Sequence, residues 1–378
     1  PNTAVVPQLT DANTGFSLEL FEALLNKEPN SNIFISPASI SLALAMTYNG
    51  AKGETALAMA KALGFEGMSS EDINRAYLDL RKILDVDDPQ VQLDIANSLW
   101  MRKGVDFYPE FLETNRQIFG AEIAALDFNQ PDAASTINRW VEQQTNGKIK
   151  DLVSAPIDPM AVLFLINAIY FNADWAQPFN PSLTRTVPFE LLGGGTKELP
   201  LMFRTGMMPY LDGEGFQAVS LPYGDTDRLS MYVFLPDADS DLSGFYSQLT
   251  STNWNKWLAA FSDERGSLGL PRFKLEYEVS LKEALTELGM GIAFEQSADF
   301  SGMRPTPPAL NISEVKHKSY ISVDEKGTEA AAATSVTVVA TSAPINNFDM
   351  TINRPFFFSI IDNESGTILF MGSIVNPE

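Results

Sequence analysis

One histidine, His317, stands in a chain of 378 residues that contains no cysteine. At most one His-based catalytic triad can be built, and thiol nucleophiles, disulfides and zinc ribbons are excluded. No Gly-x-Ser-x-Gly elbow is present, and a metal site would have to rely on carboxylates alone. Gly289-x-Gly291 lacks the third glycine and the preceding strand that a dinucleotide loop needs. These residues do not make an enzyme, and no cofactor or metal is expected. His317 reads as a buried, hydrogen-bonded histidine. Asn167 interrupts an apolar run, and a buried amide without partners is costly, so a small polar cluster is expected around it.

The segment with the strongest pattern carries almost no reactive groups. Gly327-Thr328-Glu329 leads into Ala330-Ala331-Ala332-Ala333-Thr334-Ser335-Val336-Thr337-Val338-Val339-Ala340-Thr341-Ser342-Ala343-Pro344. Small residues without a bulky anchor make neither a good core strand nor a convincing surface helix, and a flexible linker is one reading. As a strand, however, Thr328, Ala330, Ala332, Thr334, Val336 and Val338 form one small, uncharged face that suits burial. The opposite face begins with Glu329 and carries hydroxyls, so it tolerates water. The Val- and Thr-rich far half suits a pleated surface. The segment can live as an exposed loop or as a strand.

Helical period dominates the first 150 residues. Ser36-Pro37 is a cap followed by proline at the first helical position, and Ile40, Ala43, Leu44 and Thr47 then share a face. Glu54 to Leu63 reads as a helix stopped by Gly64, and Thr136 to Thr145 as another ended by Asn146-Gly147. From Met160 the texture turns to strands. Met160–Phe171 suits a strand buried on both faces, while Ala218–Leu221 and Leu229–Leu235 read as neighbours. Ser280–Leu288 returns briefly to helix, and Arg354–Ile361 with Thr367–Val375 form a last pair of strands. Helices first and strands later argue for an α+β fold.

No linker, charge block or internal repeat divides the chain, so 1–378 is expected to form one domain with residues 1–9 flexible. A net charge of -22 repels phosphate backbones and anionic lipid heads, which argues against nucleic-acid and membrane-surface roles. The longest apolar run is too short to span a bilayer. The chain opens at Pro1 without a signal-peptide pattern. It is expected to be a processed or trimmed form from an extracellular or periplasmic setting, acting as a monomer.

Several blocks, in order and properly spaced, resemble the serpin family. They are Asn32-Ile33-Phe34-Ile35-Ser36-Pro37-Ala38-Ser39-Ile40, Asn49-Gly50-Ala51-Lys52-Gly53-Glu54-Thr55, and Asn167-Ala168-Ile169-Tyr170-Phe171 with Trp175. Asp324-Glu325-Lys326-Gly327-Thr328-Glu329-Ala330-Ala331-Ala332 is similar to the family's hinge, and Asn353-Arg354-Pro355-Phe356-Phe357-Phe358 with Phe370-Met371-Gly372 to its C-terminal signature.

The resemblance implies three β-sheets, eight or nine helices and an exposed reactive-centre loop, here about 325–346. It implies an inhibitor of serine-type endopeptidases that is cleaved as a suicide substrate, keeps the protease as an acyl-enzyme and inserts the cleaved loop into its largest sheet. The hinge residues Glu325, Gly327, Thr328, Glu329, Ala330, Ala331, Ala332 and Ala333 keep the small pattern insertion needs. By the same resemblance His317, Asn167, Ser36 and Ser39 lie together where that sheet parts. Glu325 pairs with Arg272, and Trp175 packs nearby. The family's usual spacing from Glu325 puts the scissile bond between Thr341 and Ser342. Val338, Val339, Ala340 and Thr341 then suit the shallow pockets of elastase-like or subtilisin-like enzymes. The stretch from Ser342 to Pro355 is longer than in common members, so Val339 or Ala340 could serve a different enzyme. The alternatives are a non-inhibitory member acting in binding or storage and, more distantly, an unrelated hydrolase.

Overall fold

Apolar periodicity builds most elements where the residues place them. The computed structural model describes residues 5–305, 309–327 and 345–377. Its helices are α1 (Val5–Lys27), α2 (Pro37–Tyr48), α3 (Gly53–Ala62), α4 (Ser70–Leu84), α5 (Pro109–Phe119), α6 (Ala133–Gln144), α7 (Leu242–Gln248), α8 (Ser251–Leu258) and α9 (Lys282–Leu285). Its strands are β1 (Ile33–Ile35), β2 (Val91–Arg102), β3 (Glu122–Leu126), β4 (Leu163–Ala173), β5 (Arg185–Glu190), β6 (Thr196–Asp212), β7 (Phe216–Pro222), β8 (Leu229–Pro236), β9 (Ser262–Pro271), β10 (Phe273–Ser280), β11 (Glu314–Val323), β12 (Phe348–Thr351), β13 (Phe356–Asp362) and β14 (Ile368–Ile374).

Four differences from the sequence reading have physical causes. β2 and β3 fall within the stretch read as helical. The alternation of Leu93, Ile95, Leu99 and Met101 along β2 is broken by Asn97, which weakens its period-two signal. Met160 is 77% exposed, so β4 starts only at Leu163. Ser280 belongs to β10, and α9 starts after it; beyond Leu285 the helix widens into a turn over Thr286–Met290, with Gly289 at φ 96°. Finally, α1 begins inside the segment expected to be flexible. Leu9 is buried in the main core there and holds the first turns down.

Two hydrogen-bonded sheets result among the described residues. One runs β10-β11-β4-β2-β3; the other runs β1-β14-β13-β8-β7-β6-β9-β12, with β5 added to β6. The three sheets implied by resemblance merge here because the long β6 serves two groups. It pairs with β5 and β9 along most of its length and with β7 only at its end, Tyr210 to Asp212.

The five-stranded sheet is packed on both faces. Leu99, Leu165, Ile169, Phe171 and Ile321 belong to the main core, which also takes in α1 and α2. Ala96, Trp100, Phe164, Ile166 and Ala168 form a second cluster with Ile137 and Val141 of α6. This double burial explains why β4 reads as an unbroken apolar run.

β4 pairs antiparallel with β2 along the whole strand, from Val91↔Ala173 to Met101↔Leu163. Its other edge pairs parallel with β11, and only from Glu314↔Phe164 to Tyr320↔Tyr170. Above Tyr320, β11 continues to Val323 against β10 alone. The sheet is therefore split at its upper end, between β4 and β11.

Candidate functional site

The split is closed at mid-height by a row of polar side chains in register across three strands. Asn97 lies opposite Asn167, and Asn167 lies opposite His317. All three are buried beneath the start of α2. Ser36 caps that helix by accepting a hydrogen bond from the Ser39 N–H (3.4 Å), and Pro37 occupies the first turn.

One backbone group fixes the orientation of the whole row. The Ser36 N–H can only donate, and its partner is His317 Nε2 at 3.3 Å. Nε2 must therefore be unprotonated, so the neutral ring carries its proton on Nδ1 and donates it to Asn167 Oδ1. That leaves Asn167 Nδ2 to donate to Ser39 Oγ, to the Ser39 carbonyl (3.3 Å) and to Asn97 Oδ1. Nearby, Ser319 Oγ donates to the Phe34 carbonyl at 2.6 Å and ties β11 to β1. With both ring nitrogens engaged, His317 has no lone pair left to accept a proton from a hydroxyl nucleophile. Burial pushes the His317 pKa down to about 3.

At the upper end the chain turns back on itself. Asp324 follows β11, and its Oδ1 accepts from the N–H groups of Lys326 (2.9 Å) and Gly327 (3.2 Å). The Asp324 N–H donates to the Gly327 carbonyl at 2.8 Å, closing the turn. Glu325 is buried, and its Oε1 accepts from Arg272 (2.5 Å) and Thr184 (2.6 Å). Burial pushes the Glu325 carboxyl up, but the bonds from Thr184 and Arg272 outweigh it and hold the group below its usual range. Trp175 lies flat on Tyr223 with ring centroids 4.4 Å apart, and its Nε1 donates to the Asp324 carbonyl at 2.9 Å. Its backbone N–H donates to the Lys326 carbonyl, and that of Phe179 to the Glu325 carbonyl, both at 2.7 Å.

This turn delivers Gly327 to the end of β4, where it forms an antiparallel bridge with Asp174. A Cβ on Gly327 would lie 2.0 Å from the Ala173 carbonyl oxygen and 2.6 Å from the Asp174 Cα, so no larger residue fits this approach. The chain thus stands at the mouth of the β4–β11 split, running opposite to β4.

The structure brings together the expected Ser36, Ser39, Asn167 and His317, and separately Trp175, Arg272, Glu325 and Gly327. Thr328, Glu329, Ala330, Ala331, Ala332, Ala333, Val338, Val339, Ala340, Thr341 and Ser342 lie outside the described residues. Sequence reasoning missed Asn97, whose signal is its break in the apolar alternation of β2, and Thr184, which gives no signal. Asp324, noted only within the hinge block, is the residue that organises the turn.

Comparisons with known proteins agree with this geometry. The family model described as Serpin (serine protease inhibitor) matches residues 11–377. A leukocyte elastase inhibitor of Bos taurus is 40% identical over 98% of this chain and 100% of its own length. A solved thermophilic serpin, tengpin, in its native state superimposes with a TM-score of 0.88 at 34% identity, covering 100% of this chain and 95% of that one. A solved human thyroxine-binding globulin complex gives 0.90 at 28% identity, covering 99% of this chain and 100% of that one.

The low His317 pKa predicts a pH dependence of stability. Between pH 6.5 and about 3 the unfolded chain holds a proton that the native chain refuses. Stability present above pH 6.5 is therefore lost as pH falls, by about 2 kcal/mol at roughly pH 5. Denaturant midpoints at neutral pH and near pH 5 should show a larger loss for the parent than for His317→Gln. Equal losses would mean that His317 is protonated in the native sheet.

Proposed function

The chain belongs to the serpin family, and on that premise we propose that it inhibits elastase-like or subtilisin-like serine proteases as a suicide substrate. The observation that supports this most directly is the Asp174–Gly327 bridge at the head of the β4–β11 split. It is the first rung of the ladder an inserted strand would extend. The strand would lie antiparallel to both neighbours, replacing one parallel ladder with two antiparallel ones, which pair slightly better per residue.

The protease serine attacks the Thr341 carbonyl, and an ester to the enzyme replaces the peptide bond as Ser342 leaves as an amine. The freed segment from Thr328 then enters the split. About 14 residues at roughly 3.3 Å each span about 46 Å, enough to carry the tethered enzyme along the sheet. The small, uncharged residues around Thr341 suit shallow primary pockets, and the Bos taurus relative is named for an elastase.

Mixing the protein with elastase or subtilisin should give a covalent complex that survives denaturing electrophoresis. Release of cleaved protein and fully active enzyme from both would contradict the reading. Thr341→Arg should move complex formation to trypsin-like enzymes; an unmoved preference would place the scissile bond elsewhere. Thr328→Arg should convert inhibitor to substrate. A guanidinium cannot shed its charge, and burying it unpaired costs several kcal/mol. Each ~1.4 kcal/mol reaching the insertion barrier slows insertion about tenfold against deacylation. Trapping by this variant at near one-to-one stoichiometry would show that Thr328 does not enter the sheet.

A further inference from the structure

Two segments far apart in the chain meet on one buried carboxylate that neither the polar row nor the hinge turn uses. Asp88 lies between α4 and β2 and is only 4% exposed. Its Oδ1 accepts from the Gln90 N–H at 2.9 Å, the local turn an aspartate makes with the residue two ahead. Its Oδ2 faces the connection between β7 and β8. There it accepts from the Asp225 N–H (3.0 Å), the Thr226 N–H (3.3 Å) and the Thr226 hydroxyl (3.1 Å). Burial pushes the Asp88 carboxyl up, but these four donors outweigh it and hold the group below its usual range. The connection is shaped for this contact. Gly224 has φ 67°, and a Cβ there would lie 2.3 Å from Asp88 Oδ2, so only glycine permits the approach.

Both of the joined segments end on the same residue. The Asp174 N–H donates to the Gln90 carbonyl at 2.9 Å, and the Asp174 carbonyl accepts from the Gly224 N–H at 2.8 Å. Asp174 is the residue that Gly327 bridges. The grip continues beyond it, where the Ala176 N–H donates to the Pro222 carbonyl at 2.9 Å and Trp175 lies on Tyr223. One carboxylate oxygen thus fixes one support of Asp174, and the other oxygen fixes the second.

We propose that Asp88 is a positioning residue for loop entry: by joining Gln90 to the β7–β8 connection, its carboxylate holds Asp174 where the chain enters after Gly327. The first rung then stands before cleavage, and the next rungs form on an edge already in place. Preset geometry of this kind speeds the step that needs it. Loss of the carboxylate frees both supports of Asp174 at once, and entry loses ground to deacylation. This consequence rests on the inhibitory reading above, whereas the hold on Asp174 does not.

Amide hydrogen exchange on the full chain, read residue by residue, tests the hold. In Asp88→Ala the Asp174 and Gly224 amides should exchange at least tenfold faster than in the parent, while those of Leu165 and Ile169 in β4 keep their rates. A second arm measures the moles of inhibitor consumed per mole of elastase or subtilisin trapped, using whichever enzyme the parent traps. Asp88→Ala should raise this ratio at least threefold and leave the association rate constant within twofold, because the bond offered to the protease lies well along the chain from Gly327. Asp88→Asn, whose one oxygen can still accept from Asp225 and Thr226, should raise it less. Leu9→Ala opens a cavity in the core at the start of α1 and controls for lost stability; its ratio should stay at the parent value. Unchanged exchange at Asp174 and Gly224 would overturn the hold. Faster exchange with a flat ratio, or an equal rise in Leu9→Ala, would overturn the positioning role. Should Asp88→Ala not fold, Asp88→Asn carries both arms under the same criteria. If the parent itself traps neither enzyme, the inhibitory reading has failed, and the exchange arm alone decides the hold.

Discussion

The parallel ladder between β4 and β11, pinned at His317 and Asn167, is the pairing that the rest of this structure serves. It is short compared with the β2–β4 ladder beside it and open at its upper end. A sheet edge at that opening exposes backbone groups that could pair with another strand. The turn at Asp324 sets Gly327 against one side of it, while Glu325, held by Arg272 and Thr184, fixes the direction in which the chain leaves. The sheet is thus held closed by side chains and a partial ladder, with Gly327 bridged to Asp174 at its mouth.

The closing row is small and tightly specified. A single backbone N–H from Ser36 dictates the histidine tautomer, then the orientation of one amide, then that of the next. Buried networks of this kind stabilise when every member is satisfied and become weak points when one is not. Here the unsatisfied member is Asn97, at the far end from His317. On the opposite face of the sheet, Lys318 of β11 donates to the Lys150 carbonyl in the connection after α6 and pairs with Glu276. Contacts on both faces of the sheet thus bear on the β4–β11 seam.

Much of this was legible in the residues, for reasons that differ from one element to the next. β4 reads clearly because burial on both faces makes it continuously apolar, and the polar Asn167 inside it pointed to a cluster. The cap of α2 reads from Ser36-Pro37 alone. β2 does not, because the residue that breaks its alternation, Asn97, is there for the polar row rather than for the strand. The contact of Glu325 with Arg272 came from family resemblance, since nothing in their separation along the chain brings them together. Thr184 could not be foreseen, because its hydroxyl matters only once the fold sets it beside Glu325. The merging of the sheets through β6 depends on hydrogen-bond register, which composition does not encode.

The central claim is that the native sheet lacks a strand that the chain itself can supply. Nicking the segment near Thr341 with a protease that does not stay bound, then melting intact and nicked protein side by side, tests it most directly. Insertion would add backbone hydrogen bonds worth about 0.5–1.5 kcal/mol each and bury the small face that begins at Thr328. The nicked protein should melt far above the intact one and resist denaturant that unfolds the latter. Coincident melting of the two would mean that the segment stays outside the sheet after cleavage, and the account built on the β4–β11 split would be wrong.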